Sequence, residues 1–244
     1  MNRPYRYERA GYSMGIGGAM TPAVKALIIV NVAVFVFESV LRLSDTFRPM
    51  DEILQGFFAL QPNLVYGRGF IWQLVTYFFL HAENLSHVLV NMFMLWMFGV
   101  EMERMWGARK FLRYYFLTGV GAGIVTCFFS PQSRTIGASG AIFGIMLAYG
   151  MTFPDRQILF WFIFPMKARH FVLLLAAIEL WVSSQYVSDG IGHFAHLGGM
   201  LFGYLYLKRA WRIRAWISEL RWKARRRRFR VFEHREEKDR YPFH

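Results

Sequence analysis

An all-α fold embedded in a membrane is what this sequence predicts, and three observations carry it. Hydrophobic residues make up 55% of the 244 and charged residues 18%, with a mean hydropathy of +0.25. That balance is too apolar for an ordinary soluble domain. Apolar runs of near-spanning length recur six times along the chain, roughly 20 residues being needed to cross a bilayer as a helix. Lys and Arg gather in alternate connections between those runs, the pattern of a chain threaded back and forth.

Residues 1–23 are polar, basic and glycine-containing, and read as a cytoplasmic lead-in, with room for a short interfacial helix. The first span is 24–43; no small-residue cleavage pattern follows it, so it reads as a retained helix rather than a signal peptide. Residues 44–84 mix Asp45, Asp51, Glu52 and Arg68 with Phe57, Phe58, Trp72, Tyr77, Phe78 and Phe79. Such a long, aromatic and partly charged connection predicts a membrane-associated loop with short helices. The second span, 85–105, carries His87 and Asn91. The third, 111–129, carries Gly119, Gly121 and Gly123 in a close-packing pattern. The fourth, 139–153, is too short to cross a bilayer alone. A start below the surface would explain that, reached by a loop that lines a wet cavity or is buried in protein. The fifth span is 170–187 and the sixth 192–207. The connection between the fourth and fifth is marked by Pro154 and Pro165. A tail, 208–244, holds fourteen Lys/Arg against five Asp/Glu. Trp211, Trp216 and Trp222 are interleaved with its charges, which suits an anionic lipid surface better than nucleic acid. The membrane domain is thus 24–207. The single cysteine, Cys127, excludes an intrachain disulfide and a cysteine-rich metal site.

Orientation follows from charge. Arg104, Arg109, Lys110 and Arg113 lie around the connection between spans two and three, and Arg156, Lys167 and Arg169 between four and five. Arg134 alone lies between three and four, and none lies between five and six. Both termini are therefore expected on the cytoplasmic side. Ser139 and His196 then fall at similar depth toward the outer face.

Ser139 is flanked by Gly137, Ala138 and Gly140, which leave room for a substrate backbone. A serine needs a base, and histidine is the usual one. A soluble nucleophile elbow is excluded, because Ala141 stands where its second glycine belongs and no strand precedes. A serine at a helix start can equally be a cap for backbone N–H groups. His196 opens His196-x-x-Gly199-x-x-x-Gly203. Gly199 and Gly203 share a face that allows close helix packing, and His196 lies roughly on that face. Against the fourth span, its imidazole comes within reach of Ser139. His87 and Asn91, four residues apart, can both donate to a developing oxyanion, or can simply tie helices together. Glu179 is a further ionisable group in a span, with no role assigned in the chemistry. His81, His87, His193 and His196 leave open a haem or metal site, although their spacing is not distinctive.

Together, Gly137-Ala138-Ser139-Gly140, His196-x-x-Gly199-x-x-x-Gly203 and His87-x-x-x-Asn91 resemble the rhomboid intramembrane serine proteases. The motif order, the long loop after the first span and the Glu103-Arg104-x-x-Gly107 turn are also similar. The resemblance covers about 24–207. It implies a rhomboid-like six-helix bundle and a Ser139–His196 dyad without an aspartate. It implies an oxyanion hole from His87, Asn91 and the Ser139 N–H, and Phe143 as an aromatic packing on the histidine. Gln73, after Trp72, stands where the family has an arginine, so the arginine's loop-anchoring contact is missing. The form looks like the basic bacterial one, which implies an inner-membrane location. The implied substrates are single-span membrane proteins cut near the outer surface, with no cofactor. Two rival readings stand beside it. One is a rhomboid-like protein that binds membrane clients without cutting them, although its Ser139 and His196 would then be expected to be replaced. The other is a histidine-ligated haem or transport protein.

Overall fold

The computed structural model of the protein describes residues 19–160, 163–185 and 192–209. The described residues up to 205 belong to one compact unit. The expected interfacial helix with Trp211, Trp216 and Trp222, and most of the N-terminal lead-in, lie outside the described residues.

Helix α1 (Pro22–Arg42) begins with proline in its first turn, where a missing N–H costs nothing. The carboxylate of Glu103, far along the chain, accepts the amides of Ala23 (2.9 Å) and Val24 (2.8 Å) and the Thr21 hydroxyl. It satisfies donors that a helix start leaves unpaired. Ile29, Val30, Val36, Phe37 and Val40 are exposed along α1, an apolar face suited to lipid. Next come three short helices, α2 (Arg48–Phe58), α3 (Pro62–Arg68) and α4 (Gln73–Thr76), and a 3-10 turn, Tyr77–Phe79. α5 (Leu85–Met94) continues through a π-helical segment, Leu95–Gly99, into α6 (Val100–Trp106); α7 is Ala108–Phe129. The stretches Pro22–Arg42, Leu85–Trp106 and Ala108–Phe129 are each long and apolar enough to cross a membrane. α8 (Ser139–Thr152) is shorter, apolar and mostly buried, the property of a helix surrounded by others. α9 is Ala168–Ser184, and α10 runs over 193–209.

Two findings differ from expectation. The connection between α8 and α9 contains a two-stranded antiparallel ribbon, β1 (Gln157–Phe160) with β2 (Phe164–Lys167), pairing Ile158 with Met166. Each apolar run is too short for a helix, and Pro165 favours extended backbone at the residue before it. Below the ribbon, Lys167 and Arg169 approach Asp155 at 3.2 and 3.5 Å and hold its carboxyl below the usual range.

The second difference is Gln73. It is fully buried and anchors the α2–α4 region without an arginine. Its Oε1 accepts the Gln61 amide (3.0 Å), and its Nε2 donates to the carbonyls of Phe57 (3.2 Å) and Gly56 (3.4 Å). The Trp72 indole N–H also donates to Phe57 O (2.9 Å). A neutral amide serves because the groups to be satisfied are backbone N–H and C=O, which need both a donor and an acceptor.

At the far end of α1, Arg42 joins Asp51 (2.8 Å) and Glu38 (3.3 Å), and Gln55 donates to Glu38. Fully buried His81 lies against this cluster. Its amide donates to Glu38 (3.1 Å) and its Nδ1 to Phe79 O (3.2 Å). Burial pushes the imidazole down to about 4 from 6.5, with neighbouring His87 adding to the effect. The native state keeps His81 neutral where the unfolded chain protonates it. Its contribution to stability is therefore complete above pH 6.5 and is lost as pH falls toward 4. The expected result is a thermal midpoint that falls with acidification through that window, and less steeply in His81→Asn. Equal slopes for the two proteins would remove His81 as the cause.

Candidate active site

The loop entering α8 is held from both sides. Leu60 and Thr135 exchange two backbone hydrogen bonds (3.0 and 2.9 Å), and the Gly137 amide donates to Tyr77 O (2.9 Å). This non-helical backbone has its polar groups satisfied by protein, the condition for irregular chain inside a membrane bundle. Gly137 has φ +111°, and a Cβ there would meet the His87 ring at 2.8 Å. The backbone thus passes directly beside that imidazole. Ser139 opens α8, so its hydroxyl stands at the helix's positive end, where the first amides have no intrahelical acceptor.

α10 reaches this point by contact between glycines. A Cβ on Gly199 would collide with the carbonyl oxygen of Gly140, and one on Gly140 would press on Ala122 (2.6 Å). Gly203 approaches Tyr114 and Thr118 of α7 instead of α8. The close packing expected of these two glycines is present, but it is divided between two neighbours. One turn before Gly199, His196 Nε2 lies 2.7 Å from Ser139 Oγ. Phe143, one turn into α8, stacks on the His196 ring at 4.2 Å between centroids and 5° between planes.

His87 Nδ1 accepts the Ala82 amide at 3.3 Å. In the neutral ring the proton therefore sits on Nε2, which lies on the Gly137 side and is left as a donor. Asn91 is buried, and its Nδ2 donates back to His87 O within the same helix (2.8 Å). That bond uses one of its two N–H groups and steadies the turn carrying His87. Ser139, His196, Phe143 and His87 are thus gathered at one place, with Asn91 behind His87.

Two groups named in the sequence without a part in the serine chemistry, Glu179 and His193, join the site. Glu179 of α9 is buried; its Oε2 lies 2.7 Å from His193 Nδ1 and its Oε1 2.9 Å from His196 Nδ1. The signal was present as a carboxylate in an apolar span and a histidine one turn before His196. The four histidines fall in two pairs, His81 with His87 (centroids 5.5 Å apart) and His193 with His196 (6.2 Å). Among the described residues, Glu179, His193 and His196 bring ligand-type atoms within 4.8 Å of one another. Their spacing already matches N–H···O contacts between two imidazoles and one carboxylate.

Residues 68–212 match the Rhomboid domain family model. The chain is 30% identical over 190 residues to Rhomboid protein 1, mitochondrial, of Saccharomyces cerevisiae, covering 75% of this chain and 51% of the yeast protein. It is 29% identical over 164 residues to RHOMBOID-like protein 2 of Arabidopsis thaliana (67% and 50% covered). A Bacillus subtilis protein named "Putative rhomboid protease YdcA" is 31% identical over 144 residues (59% and 69% covered). The chain spans about half the length of the yeast and Arabidopsis relatives. With three membrane-capable helices, a half-buried serine–histidine contact and a family match over more than half its length, this chain is an integral membrane protein belonging to the rhomboid family.

Proposed function

We propose that the protein is an intramembrane serine endopeptidase that cuts single-span membrane proteins. The observation that carries this is the 2.7 Å contact between Ser139 Oγ and His196 Nε2 at the start of α8. In this reading Ser139 Oγ attacks the substrate carbonyl carbon while His196 Nε2 takes its proton. The negative charge on the carbonyl oxygen is met by His87 Nε2–H and the Ser139 amide, aided by the α8 dipole. The C–N bond then breaks, His196 returns the proton to the leaving amine, and an acyl-serine remains. A water activated by the same imidazole attacks that ester and frees Ser139. The substrate must expose a carbonyl, so a stretch whose helix unwinds at low cost is favoured, and Gly or Pro near the cut would help. Six spans with both termini cytoplasmic would put this chemistry toward the outer face of a bacterial inner membrane. The basic tail would lie on anionic lipid.

The test is a fluorophosphonate probe, which phosphonylates only activated serines. Wild type is expected to be labelled and Ser139→Ala is not. Equal labelling of both would place any activated serine elsewhere and overturn the proposal.

His87→Ala is expected to lower kcat more than Asn91→Ala does, with KM little changed in both. Loss of one oxyanion donor costs ~10²–10³ in rate in soluble proteases. The His87 Nε2 proton lies beside Gly137, whereas the Asn91 amide is partly engaged with its own helix. Steady-state kinetics on a single-span substrate in detergent would check the order, and the reverse order would transfer the main donor role to Asn91.

A further inference from the structure

Resting on that reading of Ser139 and His196, we infer that Glu179 is the positioning carboxylate of the catalytic histidine, making the site a Ser139–His196–Glu179 arrangement instead of a bare dyad. The tautomer leads there. To take the serine proton, Nε2 of His196 must be unprotonated, so in the neutral ring the proton sits on Nδ1. That nitrogen is buried and has no other hydrogen-bond partner; Glu179 Oε1 lies 2.9 Å away, off the N–H axis. A buried N–H left unpaired is costly, and a small rotation of the carboxylate completes the bond.

The second oxygen of Glu179 lies 2.7 Å from His193 Nδ1, so one carboxylate grips two rings on successive turns of α10. The His196 imidazole is held on its face by Phe143 and at its edge by Glu179. Face stacking limits tilt but leaves the ring free to rotate in its plane, and the edge contact removes that freedom. When His196 takes the serine proton, the new positive charge forms beside a fixed negative one, away from water, where the attraction is strong. A carboxylate in an apolar span is otherwise expensive to keep.

The experiment compares wild type, Glu179→Gln, Glu179→Asp and Ser139→Ala in detergent, measuring kcat and KM on one single-span substrate. Folded fraction is taken from size exclusion and thermal unfolding. Glu179→Gln is expected to keep KM within about twofold while kcat falls, by up to the ~10⁴ lost when a soluble triad loses its carboxylate. Glu179→Asp keeps the charge and is expected to recover part of kcat. Wild-type kcat in folded Glu179→Gln, with Ser139→Ala inactive, would overturn the positioning role and leave the serine chemistry intact. If Glu179→Gln folds poorly, kcat per folded molecule decides: a normal value makes Glu179 a structural tie only. Asp variant turnover no better than that of the Gln variant at equal folding would also count against it. Wild-type turnover in Ser139→Ala would overturn both readings.

Discussion

Ser139→Ala and His196→Ala are each expected to abolish cleavage of a single-span substrate while the helices stay folded. The serine hydroxyl is a weak nucleophile, and His196 Nε2 at 2.7 Å is the base placed to take its proton. Removing either partner removes the whole step, so the double mutant should be no slower than either single. Ser139→Ala removes one oxygen atom and should leave the fold intact; His196→Ala removes a buried imidazole stacked on Phe143, so its activity is read per folded molecule. Phe143→Ala should give an intermediate enzyme. Its stacked ring is lost, but the serine contact and the edge contact to Glu179 remain. Product formation on gels, with thermal unfolding as the control for fold, reads all four. Full activity in folded His196→Ala would show that another group takes the proton.

Gly199→Ala is expected to be the most damaging single methyl in the molecule. Its Cβ would fall on the carbonyl oxygen of Gly140, a backbone atom that cannot rotate away. The two helices must part, and the parting is centred on the Ser139–His196 contact. Gly140 adjoins Ser139, and His196 is one turn before Gly199. Overpacking of this kind costs about 1–3 kcal/mol in stability, and a displacement near 1 Å costs ~10²-fold in rate. The control is Gly67→Ala in α3, where a Cβ meets nothing within 4 Å. It should leave rate and midpoint unchanged or raise the midpoint slightly through helix propensity. Unchanged kinetics in Gly199→Ala would mean that α8 and α10 separate without disturbing the pair.

Much of this was legible in the sequence. Continuous apolar runs marked the long helices to within a few residues, because each must satisfy its own backbone and offer carbon to lipid. Ser139 and His196 could be paired because glycines at four-residue spacing allow close helix contact, whereas Phe143 was legible only through the family resemblance. The Glu179 contact was less legible. It joins residues on different helices with no shared spacing, and a lone carboxylate in an apolar run does not name its partner. What Gln73 does in place of the family's arginine was not legible, because nothing in the sequence shows that the groups to be bound are neutral carbonyls and an amide. The β1–β2 ribbon was missed because four-residue apolar runs have no period long enough to separate strand from loop.

The carboxylate of Glu103 has a consequence in time. The amides of Ala23 and Val24 find their acceptor 80 and 79 residues further along the chain. A ribosome adding ~5–20 residues per second takes roughly 4–16 seconds to cover that distance. Through that interval the first helix is made but its opening turn is unfinished, with its donors left to water or lipid headgroups. The start of α1 is thus completed only when the end of α6 arrives. A chain halted between the two would hold a first helix with a loose end, and the arrival of Glu103 in α6 would close it.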